Sequence, residues 1–284
     1  MSKSKVSELL ANSSFEVTQH ATDAIGKSKE VIEPGTEIYI AHIPGTPYDG
    51  VITEAGRVRR HGFIPVPHLV ARNAPSPAAF DDFVKALIDE AQIDRALCLA
   101  GDVDSPRGDW IGALDVLKSG TMQKYGITDV RISAYPEGHP KVPTEVLDQA
   151  LRDKVKLCKE TGLDATITSQ FAFEAKPVVE RIREIRGEGI DNKMRVGICG
   201  PASVTNLLKY AVKCGVGNSL KALRRPEMLA NLLTKVDATD IVKAVAEDAE
   251  ARGDENIIGF HFFSFGGLLA STKWAKEGAA TGLA

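Results

Sequence analysis

A chain of 284 residues, 43% of them hydrophobic, can bury roughly 75% of the surface its unfolded form exposes, so its core needs no disulfide or metal staples. Thirty-five lysines and arginines stand against 38 aspartates and glutamates, a net charge of -3 with no basic block, which argues against a nucleic-acid footprint. The first ten residues are polar, no apolar run approaches the ~18 residues of a membrane span, and Cys98, Cys158, Cys199 and Cys214 form no C-x-x-C pair. These features predict a cytoplasmic protein with buried free thiols, no structural zinc and no membrane partner.

Short apolar runs alternate with longer amphipathic ones. The first strands are expected at 14–17, 37–43 and 63–70. A helix over 78–91 follows, opened by Ser76-Pro77, with proline at a favourable first position. Strands at 95–100 and 130–135 come next, then a helix from Pro143-Thr144 through Lys159, closed near Gly162. A strand at 165–170, a strand at 195–199 and a helix from Pro201 and Ser203 through Lys213 lead to extra helix around 217–233. The chain ends with a helix at 237–251 and a strand at 257–263. Several strands are nearly continuous in apolar character, as parallel strands buried on both faces are. Eight such β-α units in this length predict a single (β/α)8 barrel in one domain. A doubly wound sheet is the alternative, but no G-x-G-x-x-G follows the first strand.

Barrel enzymes build their sites at the C-terminal ends of the strands. In order, those ends carry Glu16, His42, His68, Asp102, Tyr135 with Glu137 and His139, Gln170, Cys199 and Phe263-Ser264. The run Ala134-Tyr135-Pro136-Glu137-Gly138-His139-Pro140 stands out. Its two prolines bar it from helix and from a central strand, so two ionisable groups and a tyrosine are held on a stiff loop. Glu16 lies between Phe15 and Val17 in a strand, where glutamate is disfavoured. Asp102 ends the apolar run 96–100, and Gln170 is an amide in an apolar setting that needs a partner. Close metal-ligand spacings such as H-x-H or H-E-x-x-H are absent, as is G-x-S-x-G, so neither a metal centre nor nucleophilic hydrolysis is expected.

Together, Ser14-Phe15-Glu16, Pro67-His68-Leu69, Gly101-Asp102, the Tyr-Pro-Glu-x-His-Pro run at 135–140, Ile167-Thr168-Ser169-Gln170-Phe171 and Phe260-His261-Phe262 resemble the methylenetetrahydrofolate reductase family, in the family's order across nearly the whole chain. The resemblance implies a flavoprotein barrel that binds FAD at its mouth, takes electrons from NADH or NADPH, and interconverts 5,10-methylenetetrahydrofolate and 5-methyltetrahydrofolate. It implies Glu16 as a general acid whose pKa is raised by an apolar pocket. Asp102 would be the carboxylate between flavin and pterin, stabilising a cationic iminium. Gln170 would bind the pterin, and His68, Tyr135 and His139 would contact the flavin. Asp148 would reach the FAD ribose, Lys154 its phosphates, and Tyr210 would be the stacking aromatic. The reading expects no regulatory domain after the barrel, and outer helices that could support a homo-oligomer.

Several positions depart from the family. Ala100 stands where an arginine often precedes the Gly-Asp pair. Ser169 is inserted before Gln170, which predicts a bulge at that strand end. The strand-seven turn Gly197-Ile198-Cys199-Gly200-Pro201 is longer than usual, and the last strand ends in Phe263-Ser264-Phe265-Gly266-Gly267. These departures motivate two rivals: the same folate chemistry with a donor other than a nicotinamide, and a non-catalytic folate-binding barrel that has lost flavin.

Overall fold

All eight runs expected as strands pair edge to edge. The computed structural model describes residues 4–18, 22–213 and 235–284. In it the strands are β1 (Ser14–Val17), β2 (Glu37–Ile40), β3 (Ile64–Val70), β4 (Arg95–Leu99), β5 (Asp129–Ala134), β6 (Asp164–Ser169), β7 (Met194–Cys199) and β10 (Ile257–Phe263). Among the described residues they close into a barrel in the order β1-β10-β7-β6-β5-β4-β3-β2, and every neighbouring pair is parallel. Two further strands, β8 (Ala202–Ser203) and β9 (Lys235–Val236), form a separate antiparallel pair. The fold is a (β/α)8 barrel. The helix expected around 217–233 lies outside the described residues, as does Cys214. Cys98 and Cys158 are free and buried, and Cys199 is buried.

The helices in chain order are α1 (Lys5–Ala11), α2 (Thr22–Ser28), α3 (Tyr48–Arg60), α4 (Pro77–Ala91), α5 (Ala113–Lys118), α6 (Thr121–Lys124), α7 (Thr144–Glu160), α8 (Ala175–Gly187), α9 (Val204–Lys213), α10 (Thr239–Arg252) and α11 (Leu268–Thr281). Local chemistry sets their ends. Ser76 accepts a hydrogen bond from the Ala79 N–H at 3.1 Å, Pro77 fills the first turn of α4, and Gln92 closes it in a left-handed conformation at φ 47°. Such a cap is worth about 1 kcal/mol. The buried face of α4 (Phe80, Phe83, Val84, Leu87, Ala91) packs on the sheet. No described helix is long and apolar enough to cross a membrane.

Alternation along each strand sorts the side chains. Phe15, Val17, Ile38, Ile40, Cys98, Ile132, Val196, Phe260 and Phe262 join the main core between sheet and helices. The opposite parity is polar to an unusual degree for a barrel interior, where branched apolar residues normally dominate. At the N-terminal floor Glu37 meets three arginines. Its Oε1 accepts from Arg95 at 2.7 Å and from Arg131 at 2.6 Å, and its Oε2 lies 3.1 Å from Arg195 Nε. Arg131 also pairs with Asp129, and Arg195 donates to the Asn12 carbonyl. Above this floor Tyr39 accepts from Arg131 Nε at 3.2 Å and lies 3.3 Å from the Thr168 hydroxyl, beside Val66 and Leu97. Charge fills the lower barrel, and the mouth carries the remaining polar groups.

Candidate active site at the barrel mouth

Inward parity carries Ser14 and Glu16 up β1, His68 up β3 and His261 up β10 into one throat. Glu16 Oε2 lies 3.3 Å from His68 Nε2 and 3.8 Å from His261 Nε2. On its far side the His261 ring hydrogen-bonds Ser14 through Nδ1 at 3.0 Å. That ring rests 4.2 Å from the Tyr39 ring. His68 is aimed by Pro67, and both Pro65 and Pro67 are tolerated because the β3–β4 ladder starts only at His68 opposite Leu97. Strand-end position does not select Ser14 or His261, which sit lower in the throat. The signal for them is parity alone: Ser14 shares an inward face with Glu16, and His261 with Phe263.

The electrostatics reverse one expectation. Burial pushes the Glu16 carboxyl up, as a general acid would need. The imidazoles of His261 and His68 act the other way and prevail, holding it down at about 2. Glu16 is therefore a carboxylate near neutral pH. Burial holds His261 below its ordinary value, although Glu16 draws it up.

A second group forms at the strand-five loop. Tyr135 and His139 meet edge to face with ring centroids 5.9 Å apart. Burial raises the Tyr135 phenol, its hydrogen bond with Ser133 opposes this, and the charge of Asp102 adds to the rise. Burial lowers His139, and Asp102 partly offsets it. Asp102 is thus close enough to act on both. Its loop is pinned by Arg72, whose guanidinium donates to the carbonyls of Ile111 at 3.0 Å and Val103 at 2.9 Å. The Arg72 N–H also bonds the Ala100 carbonyl at 2.9 Å.

The bulge expected at Ser169 is present. Thr168 pairs with Arg195 and Ala172 with Ile198, so four steps on one strand oppose three on the other. The Ser169 hydroxyl accepts from the Gly197 N–H at 2.8 Å. A Cβ at Gly197 would stand 2.1 Å from the Ser169 carbonyl, so only glycine admits this approach. The bulge brings Gln170 to the rim, where its side-chain oxygen accepts from the Phe171 N–H at 3.0 Å.

The departures at strands seven and eight interlock. Gly200 N–H donates to the Phe263 carbonyl at 3.0 Å, and a Cβ at Gly266 would meet the Pro201 carbonyl at 1.9 Å. Beside them Tyr210 stacks on Phe265 at 4.2 Å, and Phe171 meets the rings of Phe263 at 5.0 Å and Phe265 at 4.9 Å. Tyr210 is thus part of an aromatic cluster on this side of the barrel.

Two expected residues are engaged elsewhere. Lys154 is buried behind β5, and its ammonium donates to the Ser133 carbonyl at 2.9 Å and hydroxyl at 3.3 Å. Asp148 pairs with Arg181 and ties α7 to α8 in the helix ring. Neither is free to hold a phosphate or a ribose. His42 is buried against Tyr48 and Phe83, and its Nε2 meets the Thr46 carbonyl at 3.1 Å. Among the described residues no group of three His, Cys, Asp or Glu could hold a metal ion.

The reassignment of Lys154 is testable. Burial presses its pKa from 10.5 down to about 8. Between those values the unfolded chain binds the extra proton, so this group makes stability rise with pH across that window. Lys154→Met should abolish that increment in denaturation curves at pH values spanning the window and keep stability at neutral pH within about 1 kcal/mol; an increment that persists in the variant would place the linkage on another group.

No family model matches the chain. Among solved structures, a chain described as "a putative lyase/mutase from Burkholderia cenocepacia J2315" is similar at a TM-score of 0.43 and 10% identity, over 69% of this chain and 72% of that one. A likeness this distant says nothing about chemistry.

Proposed function

We propose that this barrel is an enzyme interconverting 5,10-methylenetetrahydrofolate and 5-methyltetrahydrofolate with a bound flavin. The observation that carries the reading is the convergence of Glu16, His68 and His261 in the throat, with Asp102, Tyr135 and His139 grouped at the rim. A flavin supplies two-electron hydride chemistry that side chains lack. The residues present suit its ring end: Tyr135 and His139 give flat and edge contacts, and Asp102 gives a negative charge beside them. They suit its phosphate end less well, since Lys154 and Asp148 are occupied and position 100 is alanine. Arg107, exposed and acting electrostatically on His42 and Tyr48, is a described cation on that rim able to take the phosphates.

In this reading Asp102 stabilises positive charge on the opened pterin ring, and Gln170 presents its amide N–H groups to the pterin edge. Glu16 serves the ring-opening proton transfer, but as a carboxylate it must first receive the proton it gives. The decisive experiment is an anaerobic titration of FAD-supplemented protein with 5-methyltetrahydrofolate, following visible flavin absorbance. Bleaching is the expected result, and bound FAD that stays yellow overturns the reading. NADH, NADPH and reduced ferredoxin would then be compared as donors. The weak phosphate end favours one second reading, a folate-binding barrel without flavin. A colourless protein that binds methyltetrahydrofolate and never takes up FAD would establish it.

A further inference from the structure

One charge at the mouth has no anchor of its own. The Asp102 carboxylate is exposed and makes no hydrogen bond or ion pair among the described residues, yet its charge acts on both Tyr135 and His139. Its place is therefore set by the backbone that carries it, the loop from Ala100 to Ile111. Arg72, just past the end of β3, holds that loop with main chain and side chain alike. Its N–H donates to the Ala100 carbonyl and its carbonyl accepts from the Arg107 N–H, both at 2.9 Å. Its Nε donates to the Ile111 carbonyl at 3.0 Å and its Nη1 to the Val103 carbonyl at 2.9 Å. One rigid planar fork thus clamps carbonyls near the two ends of the loop, a task that the point charge of an ammonium does not match. The loop also packs closely on β3 and its neighbours. A Cβ at Gly101 would stand 2.4 Å from Val70 Cγ1, and one at Gly108 would stand 2.5 Å from the Pro75 carbonyl. The Asp104–Lys141 pair touches the same loop, but both side chains are largely exposed, and such pairs hold little.

We infer that Arg72 is a positioning residue: by clamping the 100–111 loop it keeps the Asp102 carboxylate beside Tyr135 and His139, where the proposed reaction uses its charge. The inference rests on the folate reading for its chemistry and on the clamp for its geometry. With Ala100 at the end of β4 and Arg72 beside it past β3, the arginine at this corner is committed to backbone carbonyls and not to a ligand. Its loss should loosen the loop without unfolding the barrel. Ile111 is 63% exposed and Val103 half-buried, so water can take over the two carbonyls that the guanidinium leaves.

Nitrogen-15 NMR of the His139 imidazole reads the clamp with neither flavin nor substrate present. Burial lowers the His139 titration, Asp102 draws it up and Lys141 draws it down. Asp102→Asn should lower it further. Arg72→Ala should move it the same way, and the double variant should move it no further than Asp102→Asn alone. The sign separates positioning from a direct charge effect: losing a nearby cation by itself raises an imidazole's pKa, whereas an Asp102 that drifts away lowers it. Arg72→Lys keeps the charge and part of the donor set. Its shift should fall between wild type and Arg72→Ala, and it decides the point where Arg72→Ala fails to fold. In the flavin-loaded protein Arg72→Ala should slow the folate half-reaction by about tenfold with little change in methyltetrahydrofolate affinity. A His139 titration that stays in place or rises in Arg72→Ala, or that falls equally in the Asp102→Asn background, overturns the inference. So does an Asp102→Asn variant that leaves His139 unmoved. A flavin-loaded wild type that turns over no folate instead overturns the folate reading, and the His139 titrations still decide whether Arg72 places Asp102.

Discussion

Under the proposed folate function, replacing Glu16 with Gln is expected to cut folate turnover by about 10²- to 10⁴-fold while sparing flavin binding. The amide fills the same space between β3 and β10, so the throat keeps its shape. It cannot take up a proton and carry it to the substrate. Steady-state turnover and flavin titration on the same sample separate the two effects. Near-normal turnover would remove Glu16 from the chemistry. A loss of flavin binding in parallel would mean that the carboxylate shapes the site rather than serving the reaction.

The second large effect is expected at the other end of the barrel. Glu37→Gln should destabilise the fold by about 3–5 kcal/mol, because it leaves Arg95, Arg131 and Arg195 with a buried excess of positive charge. The wild type should show the same dependence in acid. Burial pushes the Glu37 carboxyl up, but the neighbouring Arg195 and Arg131 hold it at about 2, against 4.5 when unfolded. A carboxylate depressed on folding contributes stability that is complete above the unfolded value and is lost as pH falls through the folded one. Urea denaturation between those two values should therefore show a decline that Glu37→Gln lacks. An equal acid slope in variant and wild type would place the linkage elsewhere.

The barrel was legible because its strands are apolar runs with clear periods, and all eight were found within a few residues. Helices with strong start signals, such as α4 behind Ser76-Pro77, were legible too. Helix α3 was not: it starts after Pro47 with no side-chain cap and carries Gly50 and Gly56. At the site, strand-end position pointed to Glu16, Asp102, Tyr135 and Gln170, and the insertion at Ser169 pointed to the bulge. The charge state of Glu16 was not legible, because it depends on two histidines 52 and 245 positions away in sequence. Lys154 and Asp148 misled for a related reason. A long side chain on a helix reaches either solvent or the sheet, and only the packed structure reveals that Lys154 turned inward to Ser133.

The arginine-filled floor also governs traffic. Glu37, Arg131 and Arg195 are all buried, so among the described residues the floor of the throat is filled. If the barrel is the proposed folate enzyme, whatever visits Glu16 shares the mouth with the flat ring of the substrate. Recharging Glu16 with a proton and holding the substrate then take turns. The reprotonation step belongs to the interval between product leaving and the next molecule arriving. Such a catalyst is timed by its doorway, and added viscosity or deuterated solvent should slow successive turnovers more than the first.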